Sequence, residues 1–165
     1  MSSKTMMVTD YSKLSPPLPT PKEEKCNCGH RKSVKLMYAL NPNPITCVDC
    51  NLEIEPTLLN LSQEVVDEIV FWRHIYGSIY HLWLASGDYE KWAEKELANL
   101  GSPVNNLGLK ARSSLNEFHP CFYWVFQDQS EETFSPISVC PICHEPLNEF
   151  LGTKFKQVRG RKELK

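Results

Sequence analysis

Seven cysteines stand in this chain, and six of them form close pairs: Cys26 with Cys28, Cys47 with Cys50, and Cys140 with Cys143, leaving Cys121 over. Residues two or three apart are poor partners for a disulfide that staples a core. A CxxC turn instead presents two sulfurs about 3.8 Å apart, the separation two thiolates need on one tetrahedral zinc ion with Zn–S near 2.3 Å. The chemistry this spacing suits is reduced thiolate on a structural metal. Both CxxC pairs follow strand-like runs, so Cys47, Cys50, Cys140 and Cys143 are the expected ligands of one shared zinc. That site would close a loop of about 90 residues and, at on the order of 10 kcal/mol, clamp the two ends of the intervening segment together. A second assignment places Cys26, Cys28, Cys47 and Cys50 on one ion, and Cys140 and Cys143 on another with Cys121 and His119 or His144. Cys26-x-Cys28 and His119-x-Cys121 stand equally far ahead of their CxxC pairs, which keeps this arrangement open, although a CxC is less regular than a CxxC.

Catalytic chemistry finds little footing. A redox CxxC sits at a helix N-terminus, where the macrodipole depresses a thiol pKa, and neither pair opens a helix-like run. No histidine has Glu two residues later and Val139 precedes Cys140, which excludes the zinc deaminase pattern. HExxH, GxSxG and the phosphate-binding GxxxxGK[ST] are absent, and all-cysteine ligation leaves an ion no open position for water. The chain is therefore expected to be non-enzymatic. His74 and His81 read as packing residues of an amphipathic helix rather than as ligands.

The cysteines must be carried by a modest set of elements. Val34 to Leu40 alternates as a strand does, Asn41-Pro-Asn-Pro44 breaks it, and Ile45-Thr-Cys47-Val-Asp-Cys50 forms a knuckle. With Asn60 or Ser62 as cap, apolar residues recur at three- and four-residue steps up to Ala85, predicting a helix about 36 Å long as the spine of the fold. Asp88 is placed to cap a second helix through Leu97, and a third covers part of Leu107 to Phe118. Phe122-Tyr-Trp-Val-Phe126 is β-favouring, Cys140 to His144 forms the second knuckle, and a last strand lies near Pro146 to Phe150. Trp72, Tyr76, Tyr80, Trp83, Tyr89 and Trp92 at helical spacing are expected to be core, a minority remaining exposed. The fold class is α+β: a discontinuous zinc ribbon of short strands with a three-helix insertion.

At 165 residues the chain suits one compact body, and its 41% hydrophobic content is that of a folded protein. Residues 1–25, rich in proline, read as a disordered leader, 26–150 as a single zinc-ribbon and helical domain, and 151–165 as a basic flexible tail. No run approaches the roughly 20 apolar residues of a membrane span, and the first ten residues lack a signal-peptide pattern, so the expected location is the cytoplasm. Net charge is −2, yet residues 51–100 hold 9 acidic and 3 basic side chains and residues 101–150 hold 6 and 2. That acidic middle, with Glu90, Glu94 and Glu96, suits a basic partner and repels nucleic acid.

The order of these features resembles an uncharacterised bacterial family described as zinc-ribbon-containing, with a suggested link to nucleic-acid binding. The resemblance is carried by the Cys47/Cys50 knuckle, the helix with Trp72 and Tyr76, Leu82-Trp83, Ser86-Gly87, Trp92-Ala93, the strand Phe122–Phe126 and Cys140-Pro-Ile-Cys143, over roughly residues 34–147. It implies no reaction. Cys26-Asn-Cys28-Gly-His30 has no counterpart in the family pattern, and no further CxxC follows Cys143. The expected function is protein binding by a zinc-stabilised body, in the manner of an immunity protein or antitoxin against a basic toxin. The alternative is nucleic-acid binding through Lys32, Lys35 and the basic tail.

Overall fold

The computed structural model describes residues 8–29, 33–130, 134–142 and 144–147. Three short strands form one sheet: β1 (Val34–Leu36), β2 (Ile45–Cys47) and β3 (Cys121–Tyr123), in the order β2-β1-β3. β1 runs antiparallel to β2 with Val34 opposite Cys47, and parallel to β3 with Val34 opposite Cys121. β2 and β3 thus run antiparallel on either side of β1, and the chain between them carries the helices. These are α1 (Gln63–Ala85), α2 (Glu90–Ala98) and α3 (Pro103–Asn116). The architecture is mixed α+β.

Ser62 caps α1, its Oγ accepting from the Val65 N–H, and the helix runs to Ala85 as its apolar spacing predicts. Asp88 does not cap α2; Tyr89 occupies that position without a side-chain hydrogen bond. α3 begins earlier than expected because Ser102 accepts from the Asn105 N–H and Pro103 supplies a preset first helical residue. The aromatic strand is shorter than its β propensity suggests: pairing stops at Tyr123, and the Trp124 N–H still donates to the Leu36 carbonyl at 2.9 Å. The final strand is seen only as a bridge between Val139 and Pro146, and residues 148–150 lie outside the described residues. No helix among the described residues is long and apolar enough to cross a membrane.

The core gathers Val34, Leu36 and Ile45 of the sheet with Val66, Ile69 and Trp72 of α1, Ala93 and Leu97 of α2, and Val104, Ala111 and Leu115 of α3. Trp72, Tyr76 and Trp83 are buried as expected, whereas Tyr89 and Trp92 are exposed. Close approach of α3 to α1 and β3 depends on Gly108, where a Cβ would lie 2.5 Å from the Tyr123 ring and 2.6 Å from Trp72 Nε1. Asn105, also buried, ties α2 to this junction: its Nδ2 donates to the Leu97 and Asn99 carbonyls at 2.9 and 2.8 Å, and its Oδ1 accepts from the Tyr123 hydroxyl at 2.7 Å.

Residues 8–25, read above as part of a disordered leader, are packed on the body. Leu14 is wholly buried in the common core. The Tyr11 hydroxyl accepts from the Leu61 N–H at 2.7 Å and donates to the Leu61 carbonyl at 3.1 Å, and Thr9 donates to that same carbonyl at 2.9 Å. Proline richness misleads here because an extended segment can be fixed by side-chain anchors without any periodic pattern. Residues 1–7 and the basic tail 151–165 lie outside the described residues.

Candidate metal centre

The strap formed by residues 8–25 ends by delivering two cysteines to the edge of the sheet. Glu53 is the junction. It bridges Thr46 of β2 on one side and Lys25 on the other, its carbonyl accepting from the Cys26 N–H at 2.7 Å and its N–H donating to the Glu24 carbonyl at 3.2 Å. Its buried carboxylate also accepts from Thr20 at 2.9 Å and Asn41 at 3.0 Å, while Lys25 pairs with Glu55 at 2.7 Å. These contacts hold Cys26 and Cys28 against the turn that follows β2.

That turn presents the other two thiols. The Cys47 N–H donates to the Leu52 carbonyl at 2.9 Å and the Asn51 N–H to the Cys47 carbonyl at 3.0 Å, closing a tight knuckle around Cys47 and Cys50. Asn51 takes a left-handed conformation, φ 60°, a region asparagine tolerates better than most residues. The ligand atoms of Cys26, Cys28, Cys47 and Cys50 all lie within 4.8 Å of one another, a spacing compatible with the roughly 3.8 Å between sulfurs on one tetrahedral ion. These four residues can hold a metal ion. Cys47 is buried and the other three are half-buried, so the centre is shielded on the core side and open toward the surface.

The four thiols share their protons unequally. Burial raises Cys26, but hydrogen bonds from the Cys28 backbone and from the Cys50, Cys47 and Cys28 thiols outweigh it, so its pKa falls below the ordinary value. Burial, with the crowding of the three other thiols, pushes Cys50 up to about 12. One sulfur is thus favoured as thiolate at the expense of its neighbours, as expected where acidic groups crowd a single point. Lys35 on β1 borders the centre: it is buried, its Nζ donates to Asn51 Oδ1, and it lies 5.1 Å from the centroid of the Trp124 ring.

The cysteines brought together are therefore not the expected set. Cys47 and Cys50 meet Cys26 and Cys28, the pair that the sequence reading placed second. Cys140 is not in the cluster, and Cys143 lies outside the described residues. The physical reason is the strap, whose hydrogen bonds to Glu53 carry Cys26 to the knuckle. The clue was the equal offset of Cys26-x-Cys28 and His119-x-Cys121 from their CxxC pairs. Cys121 faces inward on β3, where burial pushes its thiol up to about 12, and His119 Nε2 sits 2.9 Å from the Leu59 carbonyl. His74 and His81 lie on the exposed face of α1 and belong to no ligand cluster among the described residues. His30 and Lys32 lie outside the described residues.

Cys140 nevertheless stands in a turn of the same hydrogen-bond register. Its N–H donates to the Glu145 carbonyl at 2.8 Å, the His144 N–H donates to the Cys140 carbonyl at 2.9 Å, and His144 has φ 59°. The flanking bridge is also equivalent: Val139 to Pro146 here, Thr46 to Glu53 in the first turn. No protein-family model matches this chain, and no curated protein and no solved structure matches it.

Proposed function

We propose that this chain is a zinc-stabilised, non-catalytic binding protein whose ion is held by Cys26, Cys28, Cys47 and Cys50. The observation that carries the reading is the convergence of four thiols from two separate segments within bonding reach of one ion. Zinc is the metal this donor set favours, since four thiolates in a tetrahedron satisfy its coordination and leave no position for substrate. The role of such an ion is to fasten the N-terminal strap to the sheet. Thiols kept reduced for this purpose suit the cytoplasm.

The partner we propose is a basic protein, as in an immunity or antitoxin role, bound at the helical surface. Tyr89 and Trp92 project from the α2 region at 62% and 49% exposure, among Glu90, Glu94 and Glu96. Exposed aromatics within an acidic field are the combination that binds and steers a cationic surface. Nucleic-acid binding through Lys32, Lys35 and the basic tail is the alternative, which the charge of residues 51–150 and the burial of Lys35 disfavour. The matching register of the Cys140 turn supports a further reading, that Cys140 and Cys143 contribute to a second ion. The discontinuous ribbon and the Cys47/Cys50/Cys140/Cys143 site are superseded in this proposal by two local centres.

Metal content by mass spectrometry, on protein purified without added metal, tests the core of it. Cys→Ser changes at positions 26, 28, 47 and 50 are each expected to remove one equivalent of zinc, and Cys140→Ser to leave that equivalent in place. Retention of full zinc by the Cys26→Ser/Cys28→Ser variant would refute the assignment. Salt titrations of binding to a cationic protein and to a single-stranded DNA oligomer separate the two partner classes, a steep slope on DNA alone favouring nucleic acid.

A further inference from the structure

Four thiolates around a divalent ion leave a local charge of about −2, and a centre half-covered by protein needs something to balance it. A buried residue of the right sign beside the centre is Lys35, within the field of Cys47 and Cys50. Its side chain is 7% exposed, a costly place for an ammonium unless it is compensated. Burial lowers its pKa, and the fields of Cys47 and Cys50 push it back up. Two further contacts fix where the charge sits. Asn51, whose N–H closes the knuckle on the Cys47 carbonyl, accepts from Lys35 Nζ with its side chain. The Trp124 ring lies 5.1 Å away, within cation–π range, and is itself held by the hydrogen bond from its N–H to Leu36. The ammonium is thereby tied to the turn that supplies two of the four sulfurs.

We propose that Lys35 is a positioning residue and counter-ion of the four-cysteine centre, and that its charge, held by Asn51 and Trp124, keeps the metal-bound thiolates unreactive. The inference rests on the zinc reading above and extends it. A thiolate beside a fixed positive charge is a weaker nucleophile toward electrophiles, because its lone pair is stabilised before attack. A tetrathiolate ion at this turn would place its negative charge beside the buried ammonium, so that the two compensate one another.

The test is the rate at which iodoacetamide releases zinc from the full chain, followed with a zinc-sensing dye. Each alkylation forms a C–S bond, expels iodide and removes one thiolate from the ion. Zinc per chain is measured first, so that absence of the metal, which defeats the zinc reading, is distinguished from failure of the counter-ion role. Lys35→Met is expected to release zinc about tenfold faster than wild type, and Lys35→Arg to stay within about twofold of it. Equal rates for wild type and Lys35→Met, or an Arg variant as fast as the Met variant, would overturn the proposal. Lys35→Gln, which can still bond to Asn51, serves if the Met variant does not fold. Failure of both neutral variants to fold with zinc while the Arg variant folds supports the role of charge, and failure of all three assigns Lys35 to packing and sinks the idea.

Discussion

Leu14 and Leu18 lie four residues apart in the same proline-rich strap, and the structure assigns them opposite fates: Leu14 is fully buried and Leu18 is 82% exposed. Truncating a fully buried leucine to alanine costs about 2–5 kcal/mol, the lost transfer energy plus the cavity left where the core cannot collapse. Surface truncations stay within about 0.5 kcal/mol. For a body of this size about 1 kcal/mol moves Tm by roughly 2–4 °C, so Leu14→Ala is expected to lower it by about 4–20 °C and Leu18→Ala by less than about 2 °C. Circular dichroism melts of the metal-loaded protein at one concentration read both. Coincident melts of Leu14→Ala and wild type would show that the strap does not belong to the core. The account of how Cys26 and Cys28 reach the knuckle would fall with it.

Gly108→Ala forces a Cβ into the Tyr123 ring and Trp72, and is expected to destabilise by about 1–3 kcal/mol in urea unfolding despite alanine's better helix propensity. Asn105→Ala leaves the Leu97 and Asn99 carbonyls and the buried Tyr123 hydroxyl short of partners, costing about 2–3 kcal/mol, whereas Asn106→Ala, whose bond to Gly101 is exposed, costs under about 0.5 kcal/mol. Burial holds Cys121 neutral up to about 12, while in the unfolded chain the thiol ionises near 8.5. Its folded pKa is the higher one, so its contribution is complete below about pH 8.5 and declines as pH rises toward 12. Melts from pH 7 to 11 should show that decline, and Cys121→Ala should flatten it.

The long helix was legible because it satisfies three independent signals at once: a serine cap, a 3.6-residue apolar period and a stop at Ser86-Gly87. α3 was half-legible, since Ser102-Pro103 is a start signal that the apolar count, beginning at Leu107, passes over. β3 is cut short by a tertiary fact, the three-residue length of the neighbouring β1, which no propensity encodes. The four-thiol cluster was legible in kind, and its membership as the second of two assignments. Spacing identifies which cysteines can share an ion pairwise, but which pairs meet depends on where a segment without periodicity is anchored. Here those anchors are single contacts: Leu14 in the core, Tyr11 on Leu61, and Cys26 on Glu53.

All four converging cysteines fall between residues 26 and 50, ahead of the three α-helices of the described residues. During synthesis the centre can therefore close, and β1 can pair with β2, before α1 exists. β3 must wait, because its parallel place beside β1 is separated from β2 by the whole helical block, and contacts so distant in sequence form slowly. An ion held there would let the N-terminal third present the free edge of β1 before β3 is made, and pairing of Cys121–Tyr123 with that edge carries Tyr123 onto Gly108 and Asn105.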